Sequence, residues 1–179
     1  MTDAEPKPSQ GSPFWRFSLQ FYREPAVADA CIALQEESRV DVNLLLFLLW
    51  RATERRQLLR DEVDGLEAKI GPWREMTVVP LREVRRALKS PPGLVERGAA
   101  EAFRTRIKAV ELEAERLQQE AMYALAGRSP LGGEAASPED AARANIAAYQ
   151  AICTAPFSKQ AVETLLTAFA KMKRKPQEE

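Results

Sequence analysis

The sequence predicts an all-α protein: a bundle of about six helices followed by a C-terminal helical hairpin. Three observations predict it. Apolar residues recur at spacings of three and four through most of the chain. Proline behind a small polar residue marks helix starts, as at Ser12-Pro13 and Ser137-Pro138. No segment carries a strand pattern, and no internal repeat is present.

Residues 1–12 are polar and read as a disordered tail, with no apolar core of a secretory signal. Ser12 and Pro13 then start a helix to about Arg23, dense in Phe14, Phe17, Leu19 and Phe21. Pro25 opens a second to about Ser38, with Ala28, Cys31, Ile32 and Gln35 at helical spacing. Asp41 caps a third, in which Val42 to Trp50 is apolar all round except at Asn43. A helix apolar on every side belongs in the middle of a bundle. Residues 51–60 turn charged and solvent-facing.

A fourth helix is expected from Asp61 to Ile70, broken by Gly71-Pro72. A fifth follows from Pro72 to about Lys89, kinked where Pro80 removes a backbone donor. Ser90-Pro-Pro-Gly93 stops it. The sixth and longest runs from about Val95 to Ala126. Its stripe of Phe103, Ile107, Val110, Ala114, Leu117, Ala121 and Ala124 has the pattern of a bundle seam or coiled coil. Residues 127–136 read as a linker. The hairpin occupies 137–175, capped by Ser137 and Ser158, with Val162, Leu165, Leu166, Phe169 and Met172 on one face. The predicted division is thus tail 1–12, bundle 13–126, linker 127–136 and hairpin 137–175.

Composition narrows the function. Basic and acidic residues number 26 each, so the chain lacks the basic excess of a general nucleic-acid binder. It contains no histidine, which removes the commonest general base and metal ligand. Zinc would have to be held by carboxylates and two cysteines, an ill-suited set. Cys31 and Cys153 sit in apolar helical contexts and read as reduced thiols of a cytoplasmic protein, with no base to activate either. The longest apolar run, Leu44 to Trp50, is too short to span a bilayer. No cofactor is expected.

The most informative stretch is Pro80 to Lys89. As a helix it gathers Arg82, Arg85, Arg86 and Lys89 on one face. Glu111 and Glu115 lie four apart at the edge of the sixth helix's apolar stripe, where as like charges they repel. Antiparallel packing of helices five and six brings the two sets together. Two readings follow. One is a partly buried ion network that fixes helix register, since the guanidinium fork binds carboxylate bidentately. The other is an anion site on cations that are only partly neutralised. No glycine-rich phosphate loop accompanies it.

Asp41 and Asn43 read as a cap and a first-turn amide, or as a polar pair at the mouth of a bundle pocket walled by Trp50 or Trp73. The acidic cluster Asp61-Glu-Val-Asp64 could hold magnesium, but acids are expected in a first helical turn. The basic run Lys171–Lys175 complements a helix C-terminus, or attracts acidic membranes or RNA weakly.

Several of these pieces together carry a resemblance: Phe14-Trp15 with Phe17-Ser18, Asp41 to Phe47 with Trp50, Trp73 followed by Val78 to Arg82, Arg85-Arg86 with Leu88-Lys89, and Glu111 to Arg116. Over about residues 13–126 the chain resembles a family of small proteobacterial proteins described only as a domain of unknown function. The resemblance implies no activity, cofactor or catalytic residue. On the residues themselves, the first functional expectation is a non-enzymatic helical interaction protein, with a protein partner or a second copy on its amphipathic helices. The face from Val162 to Met172 is the expected partner surface. The alternative is a binding protein or enzyme for a small anionic ligand on the Arg82, Arg85 and Arg86 face with Glu111 and Glu115.

Overall fold

The computed structural model describes residues 11–128 and 130–174, with side chains described as far as Met172. Residues 1–10 of the tail expected over 1–12, and the end of the basic run Lys171–Lys175, lie outside the described residues; Ser12, at the end of that expected tail, is buried.

Helix α1 (Pro13–Tyr22) begins as its sequence implies: the Ser12 hydroxyl accepts the Trp15 N–H at 3.1 Å. Ser12 itself is tied down, its N–H donating to Glu120 at 2.9 Å. Helix α2 (Pro25–Ser38) ends on Arg39 in the left-handed region, φ 55°. Helix α3 (Val42–Thr53) is the axis of the molecule. Leu44, Leu45, Leu46, Phe47, Leu48 and Leu49 are all buried, because α1, α6 (Arg97–Arg128) and α7 (Pro138–Gln150) enclose the helix. Full burial of one leucine is worth about 2 kcal/mol, so this helix anchors the core.

After α3 the chain differs from the sequence reading. Residues 56–57 form a short strand, β1 (Arg56–Gln57), paired antiparallel with β2 (Gly133–Glu134), with Arg56 opposite Glu134. Two residues per strand are too few for any periodic signal. Gly132 makes the turn into β2 at φ 81°, with Gln57's carbonyl 3.0 Å from where a Cβ would sit. Arg51 is buried rather than solvent-facing, its guanidinium donating to the Leu131 carbonyl at 2.9 Å.

Helix α4 (Arg60–Trp73) is not broken at Gly71-Pro72; the proline lies inside it. A π turn over Arg74–Val78 carries it on into α5 (Val79–Ala87). The turn has a local cause. Pro80 offers no N–H, and widening the ladder lets the Val79 N–H reach back to the Arg74 carbonyl. The Thr77 hydroxyl donates to the Trp73 carbonyl at 2.7 Å.

Helix α6 (Arg97–Arg128) is as long as expected but turned about its axis. Phe103, Val110 and Leu117 of the expected seam are exposed, whereas Ala100, Glu111, Ala114, Gln118, Gln119 and Met122 are buried. Apolarity marked the wrong face because the buried side is partly polar and finds polar partners.

Helices α7 (Pro138–Gln150) and α8 (Lys159–Arg174) pack into the same core as α3 and α2. The apolar face of α8 expected to meet a partner is instead buried: Leu165, Leu166 and Phe169 lie inside, against α2. The joint is polar as well as apolar, with the Ser38 hydroxyl donating to the Pro156 carbonyl at 2.8 Å. Among the described residues no helix is long and apolar enough to cross a membrane.

Candidate functional site

Helices α5 and α6 run antiparallel, so Arg82 and Arg85 meet two carboxylates, Glu111 and Glu115, one turn apart on α6. Arg82 Nε donates to Glu111 at 3.1 Å and its Nη2 to Glu115 at 2.9 Å. Arg85 grips Glu111 through both Nε and Nη2, the latter at 3.2 Å. Glu111 is buried. Burial by itself would raise its carboxyl's pKa, yet the bonds from Arg85 and Arg82 outweigh it and hold the pKa below the usual range. Glu115 behaves oppositely: burial raises its pKa, and Arg82 only partly compensates. The hydrogen bond to Glu111 holds the Arg85 guanidinium above its ordinary value.

Behind this seam lies a second polar node, at Asp41. Its Oδ1 caps α3, accepting the N–H of Asn43 at 2.8 Å and of Leu44 at 3.3 Å. Its Oδ2 accepts from Arg74 at 3.0 Å and from Gln118 Nε2 at 2.7 Å. Its own N–H donates to the Tyr149 hydroxyl at 2.8 Å. Arg74 also donates to Glu67 at 3.0 Å. Burial opposes the Arg74 charge, but Glu67 and Asp41 hold its pKa far above normal. Asn43 accepts from Gln119 Nε2 at 2.7 Å. Arg74, Glu67, Gln118, Gln119 and Tyr149 were not singled out in the sequence. The two glutamines lay outside the apolar stripe; Arg74 is aimed by a π turn that only Pro80 hinted at.

The seam forms one wall of a groove of about 830 Å³ between α1, α2, α3, α5 and α6. Trp15, Leu19, Ile32, Val42, Leu46 and Leu112 give it apolar walls. The expected aromatic wall was Trp50 or Trp73, and neither lines it. Trp50 packs on Phe14, Phe47 and Tyr123, and Trp73 donates to the Ala114 carbonyl at 3.0 Å. Asn43, Arg82, Arg85, Arg86, Lys89, Glu111 and Glu115 all line the groove; Asp41 stands behind it.

The groove's charges do not cancel. Arg82, Arg85, Arg86, Lys89 and Lys108 face three carboxylates, Glu36, Glu111 and Glu115. Arg82 and Arg85 are committed to the seam. Among the described residues Arg86 reaches only Glu36, at 3.4 Å on the exposed rim. Lys89 and Lys108 have no ion-pair partner among the described residues. Two further groups lining the groove lack hydrogen bonds although fully buried: Ser18 Oγ and Gln119 Oε1. Both atoms are sealed beneath the groove's surface, as Arg51 Nε, Arg104 Nε and Gln118 Oε1 are elsewhere, and each unmet bond costs about 1–3 kcal/mol.

Other sequence candidates lie away from the groove. Asp61 and Glu62 stand in the first turn of α4, where Glu62 accepts the N–H groups of Leu59 at 2.8 Å and Gly132 at 3.0 Å. No cluster suited to a metal ion occurs among the described residues. Cys31 and Cys153 are free thiols. Burial pushes Cys31 up to about 12.

The chain belongs to the family described as protein of unknown function (DUF2390), which matches residues 13–122. The matched stretch contains every residue of the groove and ends before α7. No curated protein and no solved structure matches the chain.

Proposed function

We propose that this member of the DUF2390 family binds a small amphipathic anion, a carboxylate or phosphate on an apolar body, in the groove between α1, α2, α5 and α6. One observation carries the reading: Lys89 and Lys108, without an ion-pair partner among the described residues, line the same cleft as an apolar wall. The apolar body would lie on Trp15, Leu19 and Ile32, leaving the charge to Arg86, Lys89 and Lys108. Arg82 and Arg85 shape the wall and add to its potential without contacting the anion, since Glu111 and Glu115 occupy them. A cytoplasmic setting accords with the two free thiols. The surface first expected to take a partner, the α8 face, is spent on the core.

Dodecanoate and dodecyl phosphate, compared with neutral dodecanol in thermal-shift and calorimetric titrations, test the proposal. A ligand that binds only the folded state stabilises it by RT ln(1 + [L]/Kd), so saturating anion should raise the melting temperature by several degrees. Lys89→Glu with Lys108→Glu should abolish the shift without lowering the unliganded melting temperature. Equal binding of dodecanol, or no binding of either anion, would refute it.

A further inference from the structure

Helix α6 carries a second surface, which the groove does not use. Phe103, Val110 and Leu117 follow one another at intervals of seven and are 43%, 52% and 47% exposed. Seven residues are nearly two helical turns, so the three stand in one line about 21 Å long, drifting roughly 20° per step. Ala99 and Ala121 extend the line as small residues at either end. Leu112, which faces the groove, lies on the opposite side of the helix from Val110, so line and groove are separate surfaces.

The charges flanking the line identify its occupant. Arg106 and Glu113 lie on the same flank, four residues before and three residues after Val110. Arg106 is held along the line, with its guanidinium 5.5 Å from the Phe103 ring centroid. Glu113 lies beyond Val110, bonded to Arg116 at 3.1 Å. Two copies of this pattern laid parallel put their charged flanks on opposite edges of the seam, where Arg106 meets no Glu113. Laid antiparallel about a two-fold axis through Val110, they set each Arg106 on the other copy's Glu113, twice over. The same axis places Phe103 against Leu117 and Val110 against Val110, and lets the helices close at Ala99 and Ala121.

We propose that a second copy of this chain covers this face, α6 against α6 in antiparallel orientation, as an isologous dimer. The charge pattern is self-complementary in that arrangement and unpaired in the parallel one. Both grooves remain open in the dimer, so the proposal stands apart from the ligand reading.

Sedimentation velocity of the full chain from 2 to 200 µM tests it, these concentrations being set at about the micromolar range of modest interfaces. A reversible monomer–dimer equilibrium is expected. Val110→Glu should be monomeric throughout with an unchanged melting curve, because the side chain is half exposed. Arg106→Glu and Glu113→Arg should each weaken the dimer at least tenfold, and the two together should restore it. In a Cys153→Ser background, Val110→Cys should form a disulfide-linked dimer and Phe103→Cys should not, because the two-fold separates the Phe103 sites. A parent chain monomeric at 200 µM, a dimer indifferent to Val110→Glu, failure of the double variant to restore it, or cross-linking at Phe103→Cys would each overturn the proposal.

Discussion

Arg74 Nη1 stands 3.0 Å from Asp41 Oδ2, joining the start of α3 to the π turn that precedes Pro80. The same carboxylate caps α3 with its other oxygen. Asp41→Ala therefore removes a cap, worth about 1 kcal/mol, and weakens the pairing of a half-buried guanidinium. The total loss expected in urea denaturation is about 3 kcal/mol. Asp41→Asn keeps the cap and should lose about half as much. Equal losses in the two variants would place the whole effect on charge.

Arg85 and Arg86 are neighbours in sequence with unlike roles. Arg85 holds buried Glu111, whereas Arg86 touches Glu36 on the exposed rim. Arg85→Met leaves the buried Glu111 with Arg82 as its one guanidinium partner among the described residues and should cost about 2 kcal/mol. Arg86→Met should change stability by less than about 0.5 kcal/mol, while weakening anion binding. Thermal unfolding by circular dichroism separates the two. A large loss in Arg86→Met would move that cation from the binding rim into the ion network.

The two glutamates of the seam should respond to acid with opposite sign. For Glu111, burial alone would raise the pKa, but Arg85 and Arg82 hold it below its unfolded value of about 4.3. Its contribution is present above that value and lost as pH falls through the lower, folded one. Burial raises the Glu115 pKa, so its contribution is present below about pH 4.3 and lost as pH rises through the raised value. Glu111→Gln should cost stability at pH 7 and flatten the acid limb of the stability curve. Glu115→Gln should be neutral or stabilising at pH 7. Urea melts at pH 3, 5 and 7 test both signs, and a Glu115→Gln variant destabilised as much as Glu111→Gln would contradict them.

Much of this was legible because it depends on local rules. The Ser12 and Asp41 caps, the buried run Leu44 to Leu49 and the pairing of Arg82 and Arg85 with Glu111 follow from spacing and residue type. What was illegible depended on polar residues taking core positions. Gln118 and Gln119 are buried because Asp41 and Asn43 await them across the bundle. A hydrophobic wheel counts them as surface and rotates α6 toward Phe103, Val110 and Leu117. The groove was half legible: its cations announce themselves in one segment, but its apolar wall is assembled from four helices. No window of sequence shows Trp15, Ile32 and Leu112 together.

Asn145 illustrates the same principle and supports a last prediction. It is fully buried on α7, where its Oδ1 accepts the Leu58 N–H at 2.7 Å. Its Nδ2 donates to the carbonyls of Leu48 at 2.9 Å and Arg56 at 3.0 Å. One amide thus fastens α7 to α3 and to the strand beside it. Asn145→Leu fills similar volume but leaves backbone groups of residues 56 and 58 without this partner. The expected cost is about 3 kcal/mol, near the upper end for an unmade buried bond because two groups are affected. Asn145→Asp keeps an acceptor for Leu58 but sets a carboxylate against two carbonyls. Its loss should shrink as pH falls and the acid gains a proton to donate. Because α7 and α8 share the core of α2 and α3, both variants should unfold in one transition at lower denaturant. Two separated transitions would show that residues 137–174 fold as a unit apart from the bundle.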